Sequence, residues 1–349
     1  MSTIQVKIFT PTGFSKAFEV PSKWTATELV ERVWSLLNLP TKQYAVKYGP
    51  RQLRHDETLS MAEVVSGSEL RLILLDGAPS ASGTDPYIAE ANSGFPALII
   101  YLIDVSGSMS DTMSSRNGPK KRIEVAEENF RKAIQTMNAR SMRGDIISPR
   151  YRIALYIYSD KVHDVYSGAK SIAEVMKTGI PDISADKATN TKAAFIEAKK
   201  LLERELPKMQ VGVPGSQDTF PAPLVCHLTD GEFSSGCDPT SVVKEIMNMR
   251  VPDGHVLVEN IYISDKPVDL PEDLSTWEGF PFSINFPDNP YANKLLSLSS
   301  AVPASYAQTM SKKSDYQIGA GTAMLYPGTS VDLVRLAFQV SCATKTEKS

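Results

Sequence analysis

Three cysteines in 349 residues (Cys226, Cys237 and Cys342) are too few and too scattered for a disulfide framework or a thiolate zinc site. They read as free thiols in a reducing compartment. Histidine is also sparse, with only four residues. His55, His163 and His255 stand away from the acid and hydroxyl set discussed below, and His227 lies inside an apolar run where a core role is expected. Long apolar runs are missing too: the longest, residues 97–103, falls far short of the roughly 18 residues a membrane span needs. The opening "MSTIQVKIFT" lacks the basic segment and apolar stretch of a signal peptide, so a cytoplasmic location is expected. A net charge of −3 gives no electrostatic footprint for nucleic acid. The one basic run, Lys120-Lys121-Arg122 with Arg116 nearby, reads as the solvated start of a helix. "IGAGTAM" is glycine-rich but has neither the lysine of a P-loop nor G-x-G-x-x-G spacing.

What is present is ordinary globular material. Hydrophobic residues make up 42% and charged residues 22%, in a chain long enough for about two domains. "IQVKIFT" and "SKAFEVP" flank "PTGF" as a hairpin. In "WTATELVERVWSLLNLP", Thr25 and Glu28 form a capping box, Trp24 and Leu29 are spaced as a hydrophobic staple, and Asn38 with Pro40 ends the helix. "YAVKY" and "ELRLILL" add two strands, giving a small α+β sheet crossed by one helix. The stretch "KYGPRQLRHDETLSMAEVVSGSELRLILLDG" resembles the second half of ubiquitin, which implies a β-grasp domain over 1–77. Conjugation in that family requires a free C-terminal diglycine. Here a single Gly77 follows Leu74-Leu75-Asp76 and the chain continues, so a fixed docking domain is expected instead of a covalent tag. Residues 78–95, "APSASGTDPYIAEANSGF", have the composition of a linker.

From residue 96 strands alternate with helices. "PALIIYLID" and "APLVCHLTD" are continuous apolar runs, as expected of strands buried on both faces. Helices are predicted over 121–142 (with Ala126, Phe130, Ala133, Ile134 and Met137 on one face), "SIAEVMKTG", "TKAAFIEAKKLLERELPKM" and "SVVKEIMNM". "YRIALYIYSD" and "VHDVYSG" read as paired strands, and "HVLVENIYIS" as a further one. The pattern predicts an α/β domain over 96–345: a doubly wound, mostly parallel sheet with helices on both faces. Residues 266–349 complete it, with "ANKLLSLSS" and "SVDLVRLAFQVSCA" helical and "TAMLY" a last strand.

Ligands of open α/β sheets gather at the carboxyl ends of the strands. Asp104 closes "LIIYLI", Asp230 follows "LVCHLT", and Thr189 in "KATNTKAAF" stands just before a long helix. With Ser106 and Ser108 they offer oxygen ligands suited to a hard divalent cation that keeps some of its waters. Serines two apart in an extended loop would face the same way. Each element has an ordinary alternative: an Asx-type turn, a helix N-cap, a turn after a strand. Their joint occurrence, in order, at the ends of separate units is what points to an ion.

"DVSGSMS", "ATNTKAAF" and "LTDGE" resemble the metal-ion-dependent adhesion site (MIDAS) of von Willebrand factor A (vWA) domains, with all five positions intact. The residues around the motifs look more like those of intracellular bacterial members, including the tellurite-resistance-associated group, than like those of extracellular adhesion domains. The resemblance spans residues 96–265. It implies Ser106 and Ser108 as direct ligands, Asp104 as a largely water-mediated one, and Thr189 and Asp230 as a pair that switches contact as the domain opens. It also implies Mg²⁺ first, with Mn²⁺ or Ca²⁺ as alternatives, and a sixth ligand from an Asp or Glu of a protein partner. "DTMSSRNGPKKR" departs from the family by inserting a polar, basic loop beside the ion. The function expected is a non-enzymatic adaptor with a second partner on the ubiquitin-like domain. A metal-dependent hydrolase or phosphatase would need a positioned base or second metal. A structural subunit with a vestigial site is the third alternative.

Overall fold

The computed structural model describes residues 3–9, 15–37, 44–49, 51–54, 57–74, 87–113, 118–183, 189–213, 216–231, 236–264, 268, 270–311, 316–329, 331–341, 344 and 346. The chain divides into two compact units: Met1–Thr84 with Pro281–Ile284, and Asp85–Phe280 with Asn285–Ser349. His55, Gly77, Arg116, Cys342, the helix end at 38–40 and linker residues 78–86 lie outside the described residues.

In the first unit, β1 (Thr3–Phe9) pairs antiparallel with β2 (Ser15–Pro21) and parallel with β5 (Glu69–Leu74). β3 (Tyr44–Tyr48) pairs with β5 and with the short β4 (Arg51–Gln52), giving the order β2-β1-β5-β3-β4. Alternation along β1 turns Val6 and Ile8 inward against Leu29, Val30 and Val33 of α1 (Ala26–Leu37). The capping box closes that helix: the Glu28 N–H donates to Thr25 Oγ1 (3.2 Å), and the Thr25 N–H donates to Glu28 Oε2 (2.8 Å).

The second unit is mixed α/β around a mostly parallel sheet. Its main strands are β6 (Ala97–Asp104), β7 (Tyr151–Tyr158), β8 (Val162–Asp164), β9 (Lys170–Ser171), β10 (Leu224–Thr229), β11 (Leu257–Tyr262) and β12 (Leu325–Pro327). The order is β8-β7-β6-β10-β11-β12, with β9 also on β7. The four pairings from β7 through to β12 are parallel; β8 and β9 run antiparallel to β7. The helices are α2 (Arg122–Ser141), α3 (Ile172–Thr178), α4 (Thr191–Glu205), α5 (Thr240–Asn248), α6 (Pro290–Ser297), α7 (Ala304–Ser311) and α8 (Val331–Ser341).

Every residue of β6 is buried because its two faces meet different helices. Leu98, Ile100 and Leu102 join one core with Phe195 and Leu201 of α4 and Ile246 of α5. Tyr101, pointing the other way, meets Phe130 of α2 edge-on (4.9 Å between centroids) and stacks on Phe338 of α8 (5.9 Å). No helix among the described residues is long and apolar enough to cross a membrane.

Residues 87–95, which the composition groups with the linker, are held against the second unit. The N–H groups of Ile88 and Ala89 donate to Asp253 Oδ1 (2.8 and 2.9 Å), and the Tyr87 N–H donates to the Asp253 carbonyl (3.0 Å). Small side chains explain the missing hydrophobic signal: Ala89 and Ala91 are buried without any periodic pattern. α7 has no counterpart in the periodicity reading either. Its buried residues, Tyr306, Ala307 and Met310, are too few to mark a face.

Candidate metal centre

Register brings the site together. Asp104 lies opposite Tyr158 in β7, and the Val105 N–H donates to the Tyr158 carbonyl (2.9 Å). On the other side, Leu228 of β10 lies opposite Ile103, so the next residue, Thr229, reaches Asp104. Its hydroxyl donates to Asp104 Oδ2 (2.9 Å) and accepts from the Gly231 N–H (3.0 Å). Only glycine fits at 231: φ is +84°, and an added Cβ would stand 2.7 Å from the Tyr262 ring and 2.9 Å from Tyr291 Cβ.

After Asp104 the chain folds into a tight loop. Asp104 Oδ1 accepts from the Ser106 N–H (2.9 Å), an Asx-type turn. Gly107–Ser110 form a 3₁₀ turn pinned by the fully buried Met109, whose N–H donates to the Ser106 carbonyl (2.9 Å). The serines therefore do not share an extended segment as expected; Ser106 is extended and Ser108 lies in the turn. Their hydroxyls still meet, 3.2 Å apart, and that of Ser108 donates to Asp230 Oδ2. Asp104, Ser106, Ser108 and Asp230 thus form one hydrogen-bonded cluster with Thr229. Thr189 is not bonded into it. It is half-buried in the turn before α4, which is tied to the end of β7 by the Asn190 N–H donating to the Ser159 carbonyl (2.7 Å).

The electrostatics are those of two acids sharing a buried place. Asp104 is fully buried, Asp230 nearly so. Burial first, then the charge of Asp230, pushes the Asp104 carboxyl up to about 7, against the bonds from Ser106 and Thr229 that favour its anion. No cationic side chain bonds Asp104 among the described residues. The donor set is entirely oxygen and doubly acidic, which fits a hard divalent ion of the Mg²⁺ type. Among the described residues no group of three or more His, Cys, Asp or Glu side chains is placed to hold a metal, so any ion here would depend on hydroxyls and water.

Beneath the cluster the floor is neutral. His227 Nδ1 and Nε2 lie 2.8 Å from Asn260 Oδ1 and 2.7 Å from the Tyr158 hydroxyl. Asn260 spends its amide N–H groups on the Leu298 carbonyl and Ser299 hydroxyl, so its Oδ1 accepts from His227 Nδ1. Burial lowers His227 to about 4, leaving it an uncharged core residue. Thr191 is buried beside Tyr158, and its hydroxyl makes no bond of normal geometry. After Ser108 the chain forms a small ladder, Thr112–Met113 against Lys120–Lys121, and Lys120 pairs with Glu128 of α2 (2.6 Å). Thr229 and Thr191 were not among the expected site residues, and Arg122, expected to be solvated, is buried at the start of α2; a hydroxyl closing a buried strand next to Asp230 was the one available signal, at Thr229.

No family model matches the chain, and no curated protein matches it. Among solved structures, Caldiarchaeum Subterraneum Ubiquitin is similar: 25% identity, covering 21% of this chain and 95% of that chain, with a TM-score of 0.20.

Proposed function

We propose that the chain is a protein-interaction module. Its second unit is a doubly wound vWA-type domain that holds a divalent cation, Mg²⁺ first, at a MIDAS formed by Asp104, Ser106, Ser108, Thr189 and Asp230. The open coordination position takes an Asp or Glu of a partner protein. The first unit, ubiquitin-like, is a second docking surface, and the work is binding in a reducing, cytoplasmic setting, not turnover.

The observation that carries the reading is the meeting of two buried carboxylates and two serine hydroxyls at adjacent parallel strand ends, with no cationic side chain bonded to Asp104 among the described residues. Buried like charges are costly unless something positive joins them. A cation would offset that cost, and a carboxylate from outside would complete its sphere.

The test is a titration of Mg²⁺ and Mn²⁺ into the wild type and Asp104→Ala, followed by thermal melting. The wild type should gain about 2.7 kcal/mol at a hundredfold excess over Kd, and the variant nothing. Equal behaviour of the two would remove the metal site. Metal-dependent capture of an acidic peptide, without turnover of a generic phosphoester, would separate the adaptor from a hydrolase.

A further inference from the structure

Arg122 opens α2 with its side chain only 6% exposed. That placement runs against helix electrostatics, because the first turn of a helix favours acids and a cation there is repelled by the macrodipole. Burying a guanidinium also costs several kcal/mol before its partners are counted (roughly, as for any buried ion). Neither helix stability nor solvation accounts for an arginine at this position. Two of its side-chain contacts lie in the loop of the candidate site.

Arg122 Nη1 donates to the Ser108 carbonyl (3.3 Å) and lies 3.7 Å from Asp111 Oδ2. The same carbonyl accepts from the Asp111 N–H (3.1 Å), and the Arg122 N–H donates to the Asp111 carbonyl (2.9 Å). The start of α2 and the end of the 3₁₀ turn are thereby locked together around one atom, the carbonyl oxygen of Ser108. The hydroxyl of that residue is the one that spans from Ser106 to Asp230. Holding the carbonyl fixes the Ser108 backbone and with it the direction of the Cα–Cβ bond, the base from which the hydroxyl reaches Asp230.

We propose that Arg122 is a positioning residue of the cation site: it fixes the Ser108 carbonyl and so keeps the Ser108 hydroxyl aimed at Asp230 and the ion. This rests on the cation reading above. Its direction distinguishes it from plain electrostatics. Removing a positive charge beside a cation site would by charge alone tighten metal binding, whereas loss of positioning weakens it.

The experiment is a Mn²⁺ titration of the full chain, read by the electron paramagnetic resonance of free Mn²⁺, for the wild type, Arg122→Met and Arg122→Lys. Metal-free melting and near-ultraviolet circular dichroism report folding. Arg122→Met should bind Mn²⁺ about ten- to hundredfold more weakly, the range for loss of a group that orients a ligand, and Arg122→Lys should recover part of it. A folded Arg122→Met with unchanged or tighter Kd overturns the proposal, even if its melting temperature falls. Should Arg122→Met not fold, Arg122→Gln, which loses the charge and the reach to the Ser108 carbonyl, decides the matter; an unchanged or tighter Kd there overturns the proposal equally. Absence of Mn²⁺ binding by the wild type would sink the cation reading itself, and Arg122 with it.

Discussion

Asp104 carries two opposed demands: it accepts bonds from Ser106 and Thr229, yet burial and Asp230 hold its carboxyl up to about 7. An acid raised above its unfolded value binds its proton more tightly in the folded chain. Stability is therefore full while Asp104 is protonated and falls as pH rises from the unfolded value of 3.8 toward the folded one. Metal-free protein should lose up to about 4 kcal/mol over that window, and Asp104→Asn should flatten the loss. Urea unfolding at acid and neutral pH measures it; parallel slopes in the two proteins would refute the argument. Asp104 and Asp230 were visible in the sequence because each ends a buried run, where an acid needs a reason. Thr229 and Arg122 were not, because their partners are chosen by register and by a turn that brings helix and loop together, which no local pattern records.

Among the elements, β11 is the strand that the sequence predicts, but it carries an acid in its interior. Glu259 sits in its centre, fully buried, and among the described residues neither carboxylate oxygen has a hydrogen-bond partner of normal geometry. Its register partner is Cys226 of β10. Burial drives the Glu259 carboxyl well above its usual range, with the Cys226 thiol pulling weakly the other way. The sign is that of Asp104: the strand is best tolerated with Glu259 protonated, and stability declines as pH rises above the ordinary carboxylate value. Glu259→Leu should stabilise the protein by about 1–4 kcal/mol at alkaline pH and remove the decline. Thermal melts at acid and alkaline pH check this, and a variant that melts lower under both conditions would show that the acid has a structural role. Strong periodicity made α2, α4 and the continuous strands legible. α7, the ladder beside Ser108 and the strap at 87–95 were not, since short elements held by single side chains such as Asp253 have no repeat to read.

At the scale of the molecule, each unit has its own buried core, and alternating strands and helices foretold a parallel sheet in the second. The order of that sheet was beyond local pattern, because β6 pairs with strands that lie far along the chain. The bonds that assemble the candidate site span 122 and 125 residues, Ser108 to Asp230 and Thr229 to Asp104. No partial structure lacking the pairing of β6 with β10 possesses the site at all. Contacts of such sequence separation are slow to form, because the chain between them must first be closed. A bound ion should then act as a kinetic seal: Mn²⁺ slows unfolding in proportion to the stability it adds and leaves the refolding rate unchanged. Stopped-flow refolding and unfolding with and without Mn²⁺ would show it, and faster refolding would mean the strand ends meet before the rate-limiting step. An adaptor built this way would be held shut against unfolding by the ion through which it grips its partner.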